Sequence, residues 1–210
     1  MIERGEFAEL HCLSNYSFLR GASHPEELVY KASDLGYSAI AITDECSYSG
    51  LVKAHVAAKQ CGIKLIVGAE FFVDMTHGEE KNSVENIIML APTRQAYGQL
   101  SAFISKIRRK NQKGNSYLCY EDCQIGLSDC LILWSPELQD IDIQVSVGHK
   151  LKTIFQHFWI TLELFQDGFD IDKTAQALTL SSRLNLRLVA SNNVHTHIPE
   201  RQPLQDILCL

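Results

Sequence analysis

Apolar residues fall into short runs separated by polar, glycine-containing stretches. The runs are "FAELHCL" (7–13), "SAIAIT" (38–43), "KLIVG" (64–68), "NIIML" (86–90), "CLILW" (130–134), "WITLEL" (159–164) and "RLVAS" (187–191). Several are apolar on both faces, the pattern of strands in a covered, parallel sheet. Helical periods lie between them. Leu28, Ala32 and Leu35 recur at i, i+4 and i+7, introduced by Ser23 with Glu26 three residues on and closed by Gly36, which reads as a capping box and a glycine stop. A second helix runs from Gly50 to Cys61, burying Leu51, Ala54 and Ala58 before Gly62, and a third places Ile171, Ala175 and Leu178 on one face. Strands alternating with helices mean repeated βαβ units, and about seven strands favour a barrel over an open sheet.

Within the first run, alternation puts Glu9, His11 and Leu13 on one face of a strand that ends in the polar turn Ser14-Asn15-Tyr16-Ser17. Residues 110–128 read as a connection with room for one short helix, and "DIDIQVSVG" (140–148) as an edge or extra strand. No linker, low-complexity segment or internal repeat interrupts the chain, so residues 1–210 are taken as one domain. The last stretch, "RQPLQDILCL", carries an amphipathic helical pattern after Pro199 without a C-cap, as expected of a fragment of a longer protein.

Composition narrows the class. With 46% hydrophobic residues the 210-residue chain can furnish a substantial core. A net charge of −6 gives no overall attraction to nucleic acid. The one basic cluster, Lys106, Arg108, Arg109, Lys110 and Lys113, reads as a solvated helix C-terminus suited to the helix dipole. Seven cysteines without a paired spacing fit core positions in a reducing cytoplasm. "MIERGEF" is too charged for a signal peptide, and no apolar run reaches the length of a membrane span.

Polar residues collect at the ends of the runs: Glu9 and His11, Asp44 and Glu45, Glu70, Glu163, and Asn193 and His195. Carboxylates and imidazoles converging from separate strand ends are how barrel proteins assemble hydrolytic metal sites. Each has a plain alternative: Asp44 as a helix cap, His11 as a hydrogen-bonded core histidine, Glu70 as half of an ion pair, and one of His195 and His197 facing solvent.

Four stretches together carry a family resemblance: "FAELHCLSNYSFLRGASHPEELV", "LGYSAIAITDECSYSGLVKAH", "GIKLIVGAEFFV" with "IIMLAPTRQAYGQL", and "RLVASNNVHTHIPERQPLQDIL". They resemble the N-terminal domain of bacterial C-family DNA polymerases, the DNA polymerase III alpha-subunit kind. That domain belongs to the polymerase and histidinol phosphatase (PHP) superfamily. The wording is closest to the error-prone, translesion branch. The resemblance implies a distorted TIM-like barrel of about seven βα units. It also implies a divalent metal cluster, zinc or manganese, which in active members supports phosphoester hydrolysis or a 3'-5' exonuclease.

The matched motifs are incomplete. Where the family has His-x-His this chain has His11-Cys12-Leu13, and Thr-Asp-His reads Thr43-Asp44-Glu45. A strand-opening histidine is Asn86, the cysteine expected after "CLILW" is missing from "SPEL", and Asn-Asp-x-His reads Asn192-Asn193-Val194-His195. His11, Asp44, Glu70 and His195 are the residual ligand candidates. Leu13 can donate nothing to a metal, and Asn86 and Asn193 offer only weak neutral oxygens. The expectation is therefore a vestigial pocket of Glu9, Arg20, Glu45, Asn86 and Asn193 around those candidates, without metal or catalysis. Arg20 stands where replicative relatives carry Asp; it reads either as a guanidinium replacing the lost cations beside the carboxylates or as an exposed loop residue. The implied role is a structural and interaction module of an error-prone polymerase. Its partners would be the palm and fingers domains, which hold the magnesium-dependent polymerase chemistry, DNA through them, and other translesion or replication factors. The alternative is a working metal-dependent phosphoesterase or exonuclease.

Overall fold

In the computed structural model, which describes residues 7–75, 84–124 and 126–209, each of the seven apolar runs holds a strand, and an eighth strand and six α-helices form outside them. Residues 1–6, on which most of the reading of the N-terminus falls, lie outside the described residues. In chain order the elements are β1 (Ala8–Glu9), α1 (Pro25–Asp34), β2 (Ala39–Ile42), α2 (Leu51–Cys61), β3 (Lys64–Asp74), β4 (Val84–Ala91) and α3 (Arg94–Lys110). There follow β5 (Leu118–Cys119), β6 (Leu131–Ser135), α4 (Ile141–Ile154), β7 (Phe158–Glu163), α5 (Asp170–Leu184), β8 (Leu188–Ser191) and α6 (Gln202–Leu208). The strand order is β1-β2-β3-β4-β6-β7-β8, with β5 beside β3. Contacts group the chain into two compact units, residues 1–69 with 191–210, and residues 70–190.

In the first unit β1, β2 and the start of β3 are parallel, with Ala8 opposite Ala39 and Ala39 opposite Lys64. All four residues of β2 are buried, and its Ile40 and Ile42 pack with Leu28, Val29 and Ala32 of α1 and Ala54, Ala57 and Ala58 of α2. Glycines stop the chain where expected, Gly36 at φ 75° and Gly62 at φ 79°. The cap of α1 falls one residue later than the sequence suggested: Pro25 opens the helix, His24 is the N-cap, and Glu27 Oε2 accepts the His24 amide at 2.8 Å. The first strand is also shorter than its alternation implied. Pairing ends at Glu9 and resumes only as a parallel bridge between Cys12 and Val194.

In the second unit β6 and β7 are parallel, but β4 runs antiparallel to β6, with Ile87 opposite Trp134, so the sheet is not wholly parallel as the runs suggested. "DIDIQVSVG" is not a strand. Asp140 caps α4 by accepting the amides of Asp142 (2.9 Å) and Ile143 (3.3 Å), and the buried residues Gln144, Val147, Gly148 and Leu151 follow a helical period. A Cβ at Gly148 would lie 2.3 Å from Leu184 Cδ1, so a larger residue there would require the Leu184 side chain to shift. Helix α5 forms as expected but turns its other face inward: Ala177, Leu180 and Leu184 are buried, while Ile171, Ala175 and Leu178 are exposed. The basic cluster does end a helix, α3, whose Lys106 and Lys110 pair with the Asp122 carboxylate.

Candidate functional site

The tail of the first apolar run is stitched on both sides within the first unit. Thr43 N donates to Cys12 O at 2.9 Å and Cys12 N to Thr43 Oγ1 at 3.0 Å, while Val194 N donates to His11 O and Leu13 N to Val194 O. These bonds fix Thr43-Asp44, His11-Cys12-Leu13 and Asn193-Val194-His195 as adjoining chain segments, so the sequence motifs of this unit do meet. What they bring together differs from a metal cage.

Asp44 is 1% exposed, and its carboxylate is wrapped by the turn that follows Leu13. Oδ1 accepts the Ser14 amide at 2.8 Å and the Ser17 hydroxyl at 2.8 Å, and Oδ2 accepts the Ser14 hydroxyl at 2.7 Å. Ser17 Oγ in turn accepts the Glu45 amide at 3.0 Å. The turn closes through Ser17 N to Ser14 O and through Arg20 N and Gly21 N to Ser17 O. Gly21 is required, because a Cβ there would lie 2.1 Å from Ser14 O. Gly50 is also close, though less so, its Cβ position being 2.9 Å from Asp44 Oδ2. Charge-assisted bonds from three protein donors thus take up most of the roughly four lone-pair sites of this carboxylate.

Glu9 is equally committed, but to a different task. Its Oε1 accepts the amides of Leu10 and His11 (3.0 Å each), the Ser191 hydroxyl (2.6 Å) and the Asn192 amide (3.1 Å), and its Oε2 accepts Asn192 Nδ2 at 2.8 Å. By drawing in the amides of its own next two residues, Glu9 curls the chain and ends the strand. The expected alternation of Glu9 with His11 and Leu13 is therefore lost, and Glu9 ties β1 to the segment after β8. His11 and Leu13 are both fully buried. Burial, reinforced by the charges of Glu9 and Asp44, pushes the Cys12 thiol well above its ordinary pKa and so away from the thiolate form a metal would need.

Arg20 does find a carboxylate: its Nη1 is 3.3 Å from Glu45 Oε2, with the side chains 24% and 28% exposed. The pair sits at the rim of the buried cluster, between the two readings of this residue. His195 and His197 part company. His195 Nε2 lies 3.0 Å from Asn193 Oδ1 and its Nδ1 3.3 Å from Gln205 Nε2. Asn193 itself adopts a left-handed φ of 48°, which asparagine tolerates better than most residues. His197 Nδ1 instead meets the Ser23 hydroxyl at 2.7 Å.

The second unit holds the remaining candidates. Glu70 is fully buried on β3. Asn86 on β4 stands opposite Ser135 on β6, and its buried Oδ1 has no hydrogen-bond partner among the described residues. Ser135 Oγ donates to Glu163 Oε2 at 3.1 Å. Glu85, one position before Asn86 and missed by the motif reading, is buried too; it accepts Trp134 Nε1 at 2.8 Å and Gln144 Nε2 at 3.4 Å.

Among the described residues no group of three or more histidine, cysteine, aspartate and glutamate side chains is placed to hold a metal ion. The aliphatic Leu13 and the neutral amides of Asn86 and Asn193 do not fit the hydrolytic cluster that the resemblance implies. The serines of "SNYS" are the residues that sequence reasoning missed. Their only signal is the i, i+3 spacing of Ser14 and Ser17 ahead of Thr43-Asp44.

Comparisons with known proteins agree with the motifs. An error-prone DNA polymerase of Methylococcus capsulatus is 46% identical over 204 residues, covering 96% of this chain and 18% of its own length. One of Dechloromonas aromatica is 44% identical over 209 residues, covering 97% of this chain and 19% of its own length. The chain thus spans under a fifth of these curated relatives. Among solved structures, an amidohydrolase from Chromobacterium violaceum superposes with a TM-score of 0.69 at 15% identity, over 90% of this chain and 87% of its own. A Bifidobacterium adolescentis protein named as a metal-dependent phosphoesterase gives 0.64 at 12%, over 98% and 97%. At such identities the likeness is one of fold, and the fold is the TIM-like α/β barrel that the sequence implied. The PHP domain family matches residues 9–157, more than half of the sequence, and with the motifs that meet around Asp44 this establishes that the chain belongs to the PHP domain family.

Proposed function

We propose that this chain is the PHP segment of an error-prone DNA polymerase, acting as a structural and interaction module rather than as a hydrolase. The relatives supply the first half of the reading, since those found at 37–46% identity are error-prone DNA polymerases. One observation carries the second half: both oxygens of the Asp44 carboxylate are held by Ser14 and Ser17. Those three bonds, charge-assisted and each worth about 1.5–3 kcal/mol, help to stabilise the buried charge that a metal would otherwise have to balance. The pocket is retained as architecture, and nucleotidyl transfer belongs to palm and fingers domains of the longer protein. No helix among the described residues is long and apolar enough to cross a membrane.

The test has two readouts. Elemental analysis of the chain purified without chelator should find less than stoichiometric zinc and manganese, and manganese-supplemented assays on single-stranded DNA and on model phosphate esters should stay at background. Tight metal near one equivalent, or an activity that disappears in a folded Asp44→Ala variant, would replace this reading with a metal-dependent phosphoesterase.

A further inference from the structure

We propose that the apolar groove between the Phe18-Leu19 loop and α6 is the seat for polymerase residues that lie outside this chain. The proposal rests on the reading above and specifies the surface through which the module works. The groove, of about 300 Å³, is lined by Phe18, Leu19, Ala22, Leu204 and Leu208.

Two features show a surface built for cover. Phe18 is 84% exposed and Leu19 54% exposed, and Leu19 holds a left-handed φ of 64°, a conformation that costs a non-glycine residue free energy. The loop is not loose. Besides the Ser17 bonds already described, Asn15 N donates to Ser23 O at 2.8 Å and Ala22 N to His195 O at 3.0 Å. The fold therefore holds two large apolar side chains in water by design of its backbone. Opposite them α6 has seven residues, none of them buried, although it carries Leu204, Ile207 and Leu208. A helix this short depends on packing for its stability, and this one leaves its apolar residues unburied.

The chemistry of the rim and the length of the relatives decide the occupant. His24 Nδ1 is held by Asn15 Nδ2 at 3.0 Å, and Arg201 Nη2 by Glu27 Oε1 at 3.0 Å. Arg201, the one Lys or Arg lining the groove, is already engaged, so the groove suits aliphatic or aromatic side chains and not a phosphate backbone. Relatives devote more than four-fifths of their length to residues beyond the matched region. That remainder is the occupant to which the proposal commits.

The 210 residues are grafted in place of the matched region of the Methylococcus capsulatus polymerase, and amide hydrogen exchange at 17–22 and 204–208 is compared with that of the chain alone. Exchange should slow by about tenfold or more in the graft, and Phe18→Asp with Leu204→Asp should abolish the difference. The same pair in the chain alone should leave circular dichroism and the unfolding midpoint unchanged, because both side chains are exposed there. A graft that extends a primer while its groove exchanges as in the chain alone would overturn the docking surface and leave the polymerase reading standing. A graft that neither folds nor extends, together with no complex between the chain and the relative's remainder supplied separately, would overturn both. Groove protection that rises with the concentration of the chain alone would assign the surface to a second copy, and so would also overturn the proposal.

Discussion

Ser17→Ala is the sharpest test of what holds the buried carboxylate. The hydroxyl is 1% exposed, donates to Asp44 Oδ1 at 2.8 Å and accepts the Glu45 amide at 3.0 Å. Removing it deletes a hydrogen bond to a charged acceptor, worth about 1.5–3 kcal/mol. It also leaves the Glu45 amide without that acceptor, and because Glu45 is only half-buried, water recovers part of this second loss. The expected destabilisation is about 2–4 kcal/mol, which in a chain of this size lowers the thermal midpoint by roughly 4–16 °C. Urea unfolding followed by circular dichroism measures it directly. A double-mutant cycle isolates the bond: in an Asp44→Ala background Ser17→Ala should cost at least about 1 kcal/mol less than in wild type. A loss below about 0.5 kcal/mol in wild type, the size of an ordinary surface substitution, would mean that the serine turn does not hold Asp44.

Three further outcomes follow from the same structure. Arg20→Ala should cost no more than about 1 kcal/mol because its pair with Glu45 is a quarter exposed; a loss of about 3 kcal/mol or more in urea unfolding would show a buried pair instead. For Asp122, burial alone would raise the carboxyl, but bonds from Lys110 and Cys119 outweigh it and hold the folded pKa below the ordinary carboxylate value. Its stabilisation is therefore full above the unfolded carboxyl pKa and is lost as pH falls through the lower folded value. Asp122→Asn should accordingly be less stable than wild type at neutral pH and converge with it in acid, and a pH-independent difference in unfolding free energy would refute the pairing. Cysteine labelling at pH 8 should reach exposed Cys209 first and Cys123 and Cys130 only on unfolding, since burial pushes those thiols up to about 12 and about 11; prompt labelling of either in the native chain, located by mass, would contradict their burial.

The strands were legible because each buried run is apolar on both faces, and β2, β6 and β7 fall within a residue of their runs. Helix α4 was not, because Asp140-Ile141-Asp142-Ile143 alternates with period two while the residues actually buried, from Gln144 to Leu151, keep a helical period. Helix α5 was legible as a helix but not in its orientation: Ile171 and Leu178 are more apolar than Ala177, yet contacts with neighbouring elements and not hydropathy decide which face turns inward. At the site, the sequence singled out His11, Asp44 and His195, and backbone bonds do bring their segments together. It could not show that Glu9 leaves the strand, since that depends on Ser191 and Asn192, which lie 182 and 183 residues away.

The burial of the Asp44 carboxylate has its own physical logic. A buried carboxylate with no cation is unstable unless hydrogen bonds replace the lost charge partner. The Ser14 amide and the Ser14 and Ser17 hydroxyls do this at 2.7–2.8 Å. Once that shell exists the dependence runs both ways. An apolar residue at position 44 would strand the serine donors, and an alanine at position 17 would strand the carboxylate, so neither side can be lost singly without cost. Leu13 and Asn193 stand outside that shell: Leu13 packs in the core at 0% exposure, and Asn193 Oδ1 lies 3.0 Å from His195 Nε2. The carboxylate, by contrast, closes the 14–21 turn around its own side chain and is held by the fold itself.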